Sequence, residues 1–176
     1  MSTKTPEAQA QERIAALLAL QEVAHTLSSE LNLEKLLRKI LHAAIDVLQA
    51  STGSLLIWDP ETDELVFTVV GDSEAAQLEQ RRIPADQGIA GWVFTHRQPI
   101  IVDDVHRDER FFKGIDESLG FKTISLIAAP LMTQNEIIGV IEVLNKRSGE
   151  RFDEQDLDIL TALALQAAIA LVSARL

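Results

Sequence analysis

Three stretches near the two ends of the chain repeat apolar residues at helical spacing. The first runs from Ile14 to Leu31, the second from Leu33 to Leu48, and the third from Leu157 to Leu171, after a polar start at Asp153. Apolar residues three or four positions apart form one face of a helix. The pattern therefore predicts two N-terminal helices and one C-terminal helix. The leucine-rich stripe of the first is typical of a helix–helix seam.

Short apolar runs rich in β-branched residues fill the middle of the chain. Residues Ser54–Trp58 and Leu65–Val70 flank a turn-rich connector and predict a hairpin. A second hairpin is predicted for Thr123–Met132 and Glu136–Leu144. The second pair is apolar at nearly every position, which is typical of central strands covered on both faces.

Between the hairpins the pattern predicts smaller elements. Residues Gly71–Gln80 form a surface connection, Gly88–Phe94 a short helix, Ile100–Val102 a short strand, and Arg110–Leu119 a short amphipathic helix. The order of elements predicts an α+β domain, with an antiparallel sheet of five or six strands and the long terminal helices packed on one face.

Length, charge and composition narrow the class of protein. The 176 residues suffice for one domain, predicted at 32–176, preceded by an extension with a dimerisation helix at 1–31. A net charge of −11 argues against binding to nucleic acids or anionic membranes. The absence of cysteine excludes disulfides, thiolate metal sites and thiol nucleophiles. With no recognised signal peptide and no apolar run of ~20 residues, we expect a cytoplasmic protein or a cytoplasmic part of a larger one.

The stretch from Gly88 to Val105 is the first candidate for a site. Gly88 and Gly91 lie three residues apart at the start of a predicted helix, where glycine allows close approach of backbone or ligand. A helix N-terminus can bind an anion through its free N–H groups. The alternative, which the two glycines alone favour, is close packing of the helix on the sheet.

Catalytic and metal-binding constellations are not recognisable. The adjacent Asp103 and Asp104 point apart on a strand, whereas general acid–base chemistry needs convergent carboxylates. The four histidines, which are His25, His42, His96 and His106, lack metal-chelating spacing. The serines lack a nucleophile motif. The sequence therefore predicts no metal site and no enzymatic activity.

Three segments carry a resemblance to a known family. They read ADQGIAGWVFTHRQPIIVDDVHRDERF, APLMTQNEIIGVIEVLNK and, at the start of the last helix, FDEQD. In this order they resemble a GAF domain, over about residues 33–171. The resemblance implies a small-molecule-sensing module of a signal-transduction protein, with an effector domain in the same chain. It also implies a six-stranded sheet, a pocket between the sheet and the connecting helices and loops, and homodimerisation through the terminal helices.

The implied pocket predicts a set of ligand-binding residues. A helix from Arg110 to Leu119 would form a lid over a floor of strand residues, beside the helix that starts at Gly88. The predicted set is Ser54, Leu56, Gly88, Ile89, Ala90, Trp92, Phe111, Phe112, Ile115, Thr123, Ser125 and Ile127. The sequence does not identify the ligand or any cofactor.

Part of the motif of the cyclic-nucleotide subset of the family is also present. Asn145, Lys146, Phe152 and Asp156 match it, and the resemblance implies that the lysine and aspartate form a structural brace beside the pocket. Leu157 stands where the subset has glutamate. The partial match leaves cyclic nucleotides as one ligand class among several. The alternative function is a dimerisation or docking module without a ligand.

Overall fold

The computed structural model describes residues 4–29, 33–71, 78–110 and 124–174, and no side chains within 22–29. Its helices are α1 (Pro6–Ser29), α2 (Leu33–Val47), α3 (Gly88–His96) and α4 (Glu154–Ala174). Its strands are β1 (Ala50–Asp59), β2 (Glu64–Val70), β3 (Arg82–Pro84), β4 (Ile100–Val102), β5 (Leu126–Met132) and β6 (Ile137–Lys146).

The six strands form one sheet in the order β3-β2-β1-β6-β5-β4. All neighbouring strands are antiparallel. The α+β class and the antiparallel sheet expected from the sequence are confirmed. β5 and β6 are interior strands, as their nearly continuous apolar sequences indicated.

Helices α2 and α4 cover one face of the sheet, called here the helix face, and α1 packs against these two helices. Most of the stripe of α2 is buried there, with Leu37, Ile40 and Leu41 almost inaccessible to solvent. Burying each such leucine or isoleucine contributes ~1.5–3 kcal/mol. Helix α4 is long and apolar enough to cross a membrane, but Leu160 and Leu163 lie in this core. Packing against the sheet therefore accounts for the apolar residues on the buried side of α4.

The opposite face of the sheet, called here the α3 face, carries a second apolar cluster. Leu56 and Phe67 from the sheet pack there with Ile89, Val93 and Phe94 of α3. The ring of Phe94 lies 5.4 Å from that of Trp58, centroid to centroid. The domain therefore has two apolar layers, one on each side of the sheet.

The largest difference from the sequence-based prediction concerns the strands. β1 begins at Ala50 rather than at Ser54, and residues 82–84 form an edge strand where no strand was predicted. Ile83 is the single buried residue of β3, between exposed Arg82 and Pro84. A three-residue edge strand has too few residues to show alternation, and proline is tolerated at such an edge. The predicted helix from Arg110 to Leu119 lies almost entirely outside the described residues.

Candidate functional site

Helix α3 approaches its own preceding loop closely, and Gly91 makes this possible. A Cβ atom at Gly91 would lie 2.6 Å from the carbonyl carbon of Asp86 and 3.0 Å from the carbonyl oxygen of Ala85. Gly88 has a φ of 72°, which favours glycine. The packing alternative therefore accounts for Gly91, because the group that approaches it is the protein's own backbone.

Three polar side chains lie on the α3 face of the central strands. Residues of β1 alternate between faces, so Thr52 and Ser54 share the side of Leu56, while Leu55 faces the helices. Ser54 is paired with Glu142 of β6. The Ser54 hydroxyl donates a hydrogen bond of 3.2 Å to Glu142 Oε1. We call Thr52, Ser54 and Glu142 the polar patch.

Glu142 has an unusual environment for a carboxylic acid. Burial raises its pKa to about 7, and the hydrogen bond from Ser54 only partly opposes this shift. The residue nevertheless keeps some accessible surface, whereas Ser54 and Ala128 beside it are buried. Glu142 is therefore a largely desolvated carboxyl on the α3 face of the sheet.

Four of the predicted pocket residues lie together on the α3 face. Ser54 and Leu56 face it from β1, and Ile89 and Ala90 of α3 are buried in the same layer. Gly88 is partly buried at the start of α3. The structure thus brings these residues of β1 and α3 together in one layer, and their role in ligand binding stays a prediction.

Two other predicted residues lie elsewhere. Ile127 packs in the helix-face core with α2 and α4, so its assignment to the pocket floor is corrected. Its neighbour Ala128 lies on the α3 face opposite Glu142 instead. Ser125 is buried at the entry to β5, where its N–H donates a 3.0 Å hydrogen bond to Asn145 Oδ1. Phe111, Phe112, Ile115 and Thr123 lie outside the described residues.

Trp92 is held between two side chains at the outer side of α3. The His96 ring stacks on it with centroids 4.2 Å apart, and the Arg110 guanidinium carbon lies 4.6 Å from the ring centroid. Arg110 Nε in turn donates a 2.8 Å hydrogen bond to Asp108. Trp92 therefore fastens the segment before residue 111 to α3 through a cation–π contact.

The brace residues lie where β6 ends and α4 begins. Lys146 Nζ lies 3.0 Å from Asp156 Oδ2, and the two side chains are only 5% and 4% exposed. Phe152 is buried in the helix-face core, with Lys146 Nζ 5.9 Å from its ring centroid. The Asn145 side chain accepts hydrogen bonds from the N–H groups of Ile124 and Ser125, at 2.8 and 3.0 Å. The brace thus joins β5, β6 and α4.

A capping box and an N-terminal lysine extend the brace. Asp156 Oδ2 accepts from the Asp153 N–H at 2.9 Å, and Asp153 Oδ1 accepts from the Asp156 N–H at 2.8 Å, which is a reciprocal cap for α4. Lys4, before α1, lies 3.3 Å from Asp153 and 3.9 Å from Asp156. It also pairs with Glu12 of α1 at 2.7 Å. The start of α1 is therefore tied to the start of α4.

The sequence profile of the GAF domain family matches residues 32–171. The chain belongs to the GAF domain family.

Several relatives of this GAF domain are phosphodiesterases. It is 30% identical over 169 residues to a dual 3′,5′-cyclic-AMP and -GMP phosphodiesterase 11 of Drosophila melanogaster, covering 88% of this chain and 12% of that protein. It is 31% identical over 168 residues to a cGMP-specific 3′,5′-cyclic phosphodiesterase of Drosophila sechellia, covering 88% and 14%. The chain therefore spans less than a quarter of the length of these relatives.

A solved structure shares the fold. The GAF domain of a phosphoenolpyruvate-protein phosphotransferase from Coxiella burnetii superposes with a TM-score of 0.82 at 21% identity, covering 92% of this chain and 95% of that one. At that identity the likeness concerns the fold alone.

Three residues of this GAF domain that the geometry brings forward were absent from the predicted site. Glu142 carried a visible signal, because it is the one charged residue in the apolar run from Ile137 to Leu144. Thr52 lay outside the shorter strand that was predicted. Lys4 lies in a polar N-terminal segment, where nothing in the sequence indicates a long-range contact.

Proposed function

We propose that this GAF domain is a cytoplasmic, homodimeric, non-enzymatic sensor that binds a small molecule on the α3 face of its sheet. Ligand binding is relayed to an effector domain through α1 and α4. The polar patch within an otherwise apolar layer carries the proposal, because specific small-molecule sites combine apolar walls with a few polar groups.

Cyclic nucleotides are the first ligand class to test. The two relatives above are cyclic-nucleotide phosphodiesterases by name, and the buried pair Lys146–Asp156 occupies the positions of the subset's brace. Leu157 stands in place of the glutamate of that motif. Cyclic-nucleotide binding is therefore a proposal for this chain.

The brace supports the relay. Asn145 holds the chain entering β5, Lys146 holds Asp156 at the start of α4, and Lys4 ties the same cluster to α1. A ligand that shifts the polar patch on β1 and β6 therefore acts on the strand that carries Asn145 and Lys146. From there a continuous series of polar contacts leads to both terminal helices.

A thermal-shift screen tests ligand binding. The panel contains cyclic nucleotides, nucleotides, amino acids, 2-oxoacids and aromatic metabolites, and native mass spectrometry of the purified protein checks for a retained compound. A ligand at a hundredfold excess over its Kd stabilises the folded state by about 2.7 kcal/mol, so Tm rises by several degrees. Ser54→Leu, which fills the α3 face beside Glu142, should abolish the rise, whereas the exposed Arg82→Met should retain it. A panel without any shift contradicts the sensor proposal.

Exposed apolar residues on the terminal helices support the dimer. Leu17 and Leu18 of α1 are 62% and 59% exposed, and Leu165 and Ile169 of α4 are 46% and 42% exposed. A second copy of the chain would bury these side chains, since the same patch on both subunits forms a two-fold interface.

Light scattering tests the dimer. Leu17→Glu with Leu18→Glu should give monomers at micromolar concentration, because charges would then enter the interface. Gln9→Glu, on another side of α1, adds a charge but should leave the dimer intact. A wild-type monomer at these concentrations contradicts the proposal.

The same exposed residues support a second candidate function, a dimerisation or docking module that needs no ligand. The two candidates differ in one measurement. A stable dimer that no compound of the panel stabilises further favours the docking module.

A further inference from the structure

Helix α1 is attached to the rest of the domain by much less apolar contact than the other two long helices. Among its residues with described side chains, 6–21, only Ala16 is buried, and Leu20 is the one large apolar side chain that packs against the helix-face core. Six residues of α2 and nine of α4 are buried. Hydrophobic stabilisation grows with the apolar area removed from water, so this part of α1 gains far less from packing than α2 or α4.

The partly buried positions of α1 follow one side of the helix and become polar toward its start. Ala8, Glu12, Ala16 and Leu20 are spaced four residues apart, and each is at least partly buried. Residues at this spacing lie on the same side of a helix. Lys4, four residues before Ala8, is also partly buried. At its start this side of the helix offers one methyl group between two charged side chains, so ion pairs hold the start of α1.

Lys4 is the centre of these ion pairs. Its Nζ atom lies 2.7 Å from Glu12 Oε1 on α1, and 3.3 Å from Asp153 Oδ2 and 3.9 Å from Asp156 Oδ1 at the start of α4. Burial disfavours the charge on Lys4, but the hydrogen bond to Glu12 and the charges of the two aspartates outweigh it and raise the pKa of Lys4. Lys4 is therefore cationic throughout the neutral pH range. Its side chain is 18% exposed, so ions of the solvent can still screen its pairs.

The brace and the cap of α4 do not require Lys4. Lys146 donates its own 3.0 Å hydrogen bond to Asp156, and these two side chains are 5% and 4% exposed. Asp153 and Asp156 cap α4 reciprocally, and negative charge is favourable in the first turn of a helix. Removing the charge of Lys4 therefore leaves α4 with its cap and its buried pair.

The same removal has a larger effect on α1. Glu12, Asp153 and Asp156 surround one ammonium group, so their carboxylates are close to one another. Without that ammonium, Glu12 would bring a negative charge toward the two aspartates, and like charges repel. The attraction that holds the start of α1 would thus become a repulsion.

We propose that Lys4, Glu12, Asp153 and Asp156 form an ionic latch that makes α1 a detachable arm of the domain. With the latch closed, α1 packs on α2 and α4. When the charge of Lys4 is removed or screened, α1 leaves these helices while the sheet, α2 and α4 stay folded. Because Asp156 belongs to both the latch and the brace, docking of α1 and an intact brace favour each other. The inference needs no ligand and so goes beyond the proposed sensor function.

Hydrogen exchange followed by mass spectrometry tests the latch on the full chain. Lys4→Met should make the amides of residues 8–20 exchange about 3–10-fold faster, while those of α2 and the sheet keep their protection. Arg13→Met removes the same charge from an exposed position of α1 and should leave the exchange unchanged. Every protein in the comparison also carries Leu17→Glu and Leu18→Glu, so that no second copy of the chain holds α1 in place.

Salt provides a second test that needs no substitution in the latch. Raising the salt concentration from about 0.05 M to about 1 M shortens the Debye length to about 3 Å. Exchange of residues 8–20 should then accelerate in the protein that keeps Lys4 and change little in Lys4→Met. The buried pair of Lys146 and Asp156 is screened far less, so α4 should keep its protection. This test also decides the case in which Lys4→Met does not fold.

Three results would each overturn the inference. They are equal exchange of α1 in Lys4→Met and Arg13→Met, no response of α1 to salt, and loss of protection throughout the domain when α1 loosens. The last result would show that Lys4 stabilises the whole fold and not the docking of one helix. A ligand panel without any thermal shift contradicts only the sensor proposal and does not bear on the latch.

Discussion

Replacing Lys146 with methionine removes the ammonium group of the brace and keeps most of the side-chain volume. Lys146 and Asp156 are almost completely buried, so neither can be rehydrated when the other is lost. Breaking such a pair by removing one partner typically costs ~3–5 kcal/mol. An exposed pair would contribute only ~0–1 kcal/mol.

The contacts that remain should reduce the loss. Asp156 keeps the 2.9 Å hydrogen bond from the Asp153 N–H, and Lys4 stays 3.9 Å away. We therefore expect Lys146→Met to lower the free energy of unfolding by about 2–3 kcal/mol, below the usual range for a stranded buried charge. Adding Lys4→Met should increase the loss, because Lys4 is then no longer available to Asp156.

A double-mutant cycle with Asp156→Asn isolates the pair. Asparagine keeps an oxygen that accepts from the Asp153 N–H, so the cap of α4 survives while the charge is lost. Urea unfolding followed by circular dichroism gives the four free energies. We expect a coupling energy of about 2 kcal/mol, within the range found for residues in direct contact. Additive losses, or a loss in Lys146→Met no larger than in the exposed Arg82→Met, would refute the brace.

Two further predictions concern single positions. Glu142→Gln should change the pH dependence of stability. The pKa of Glu142 is about 7 in the folded state and exceeds the ordinary value of 4.5. The wild-type protein therefore loses stability as pH rises from about 4.5 through about 7. Relative to the variant the loss should reach about 1–3 kcal/mol, and parallel pH profiles in urea unfolding would contradict this. Gly139→Ala should lower Tm far more than Gly149→Ala. A Cβ at Gly139 would lie 2.0 Å from the Leu56 carbonyl oxygen, whereas at Gly149 nothing lies within 4 Å and alanine meets only the backbone strain of a φ of 79°. Equal shifts by scanning calorimetry would show that β1 and β6 can separate at no more cost than that strain.

The elements with strong periodicity were predictable from the sequence, and the faces of the central strands were not. Helical spacing of apolar residues was enough to predict α2, with its wide stripe, and the final helix α4. In β5 all seven residues are apolar, so no polar residue marks which side faces the helices. Ile127 was therefore assigned to the pocket, while Ala128 occupies that side in the structure.

The polar patch and the Lys4 contacts depend on tertiary structure. Ser54 and Glu142 are 88 residues apart in sequence and meet only through the pairing of β1 with β6. Lys4 and Asp156 likewise meet because α1 and α4 lie on the same face. The brace was predictable because the family motif brought its members together, whereas periodicity alone does not relate residues on different strands.

Lys4 gives the domain a polarity along its long helices. Helices α1 and α4 both start beside this lysine, at one end of the domain, and α4 extends about 30 Å away from it over its 21 residues. A neighbouring domain attached ahead of α1 and another attached behind α4 would therefore be held at opposite poles. The three domains would then follow one another along the direction of α4. The starting points of α1 and α4 are fixed to each other by the ion pairs of Lys4 with Glu12, Asp153 and Asp156.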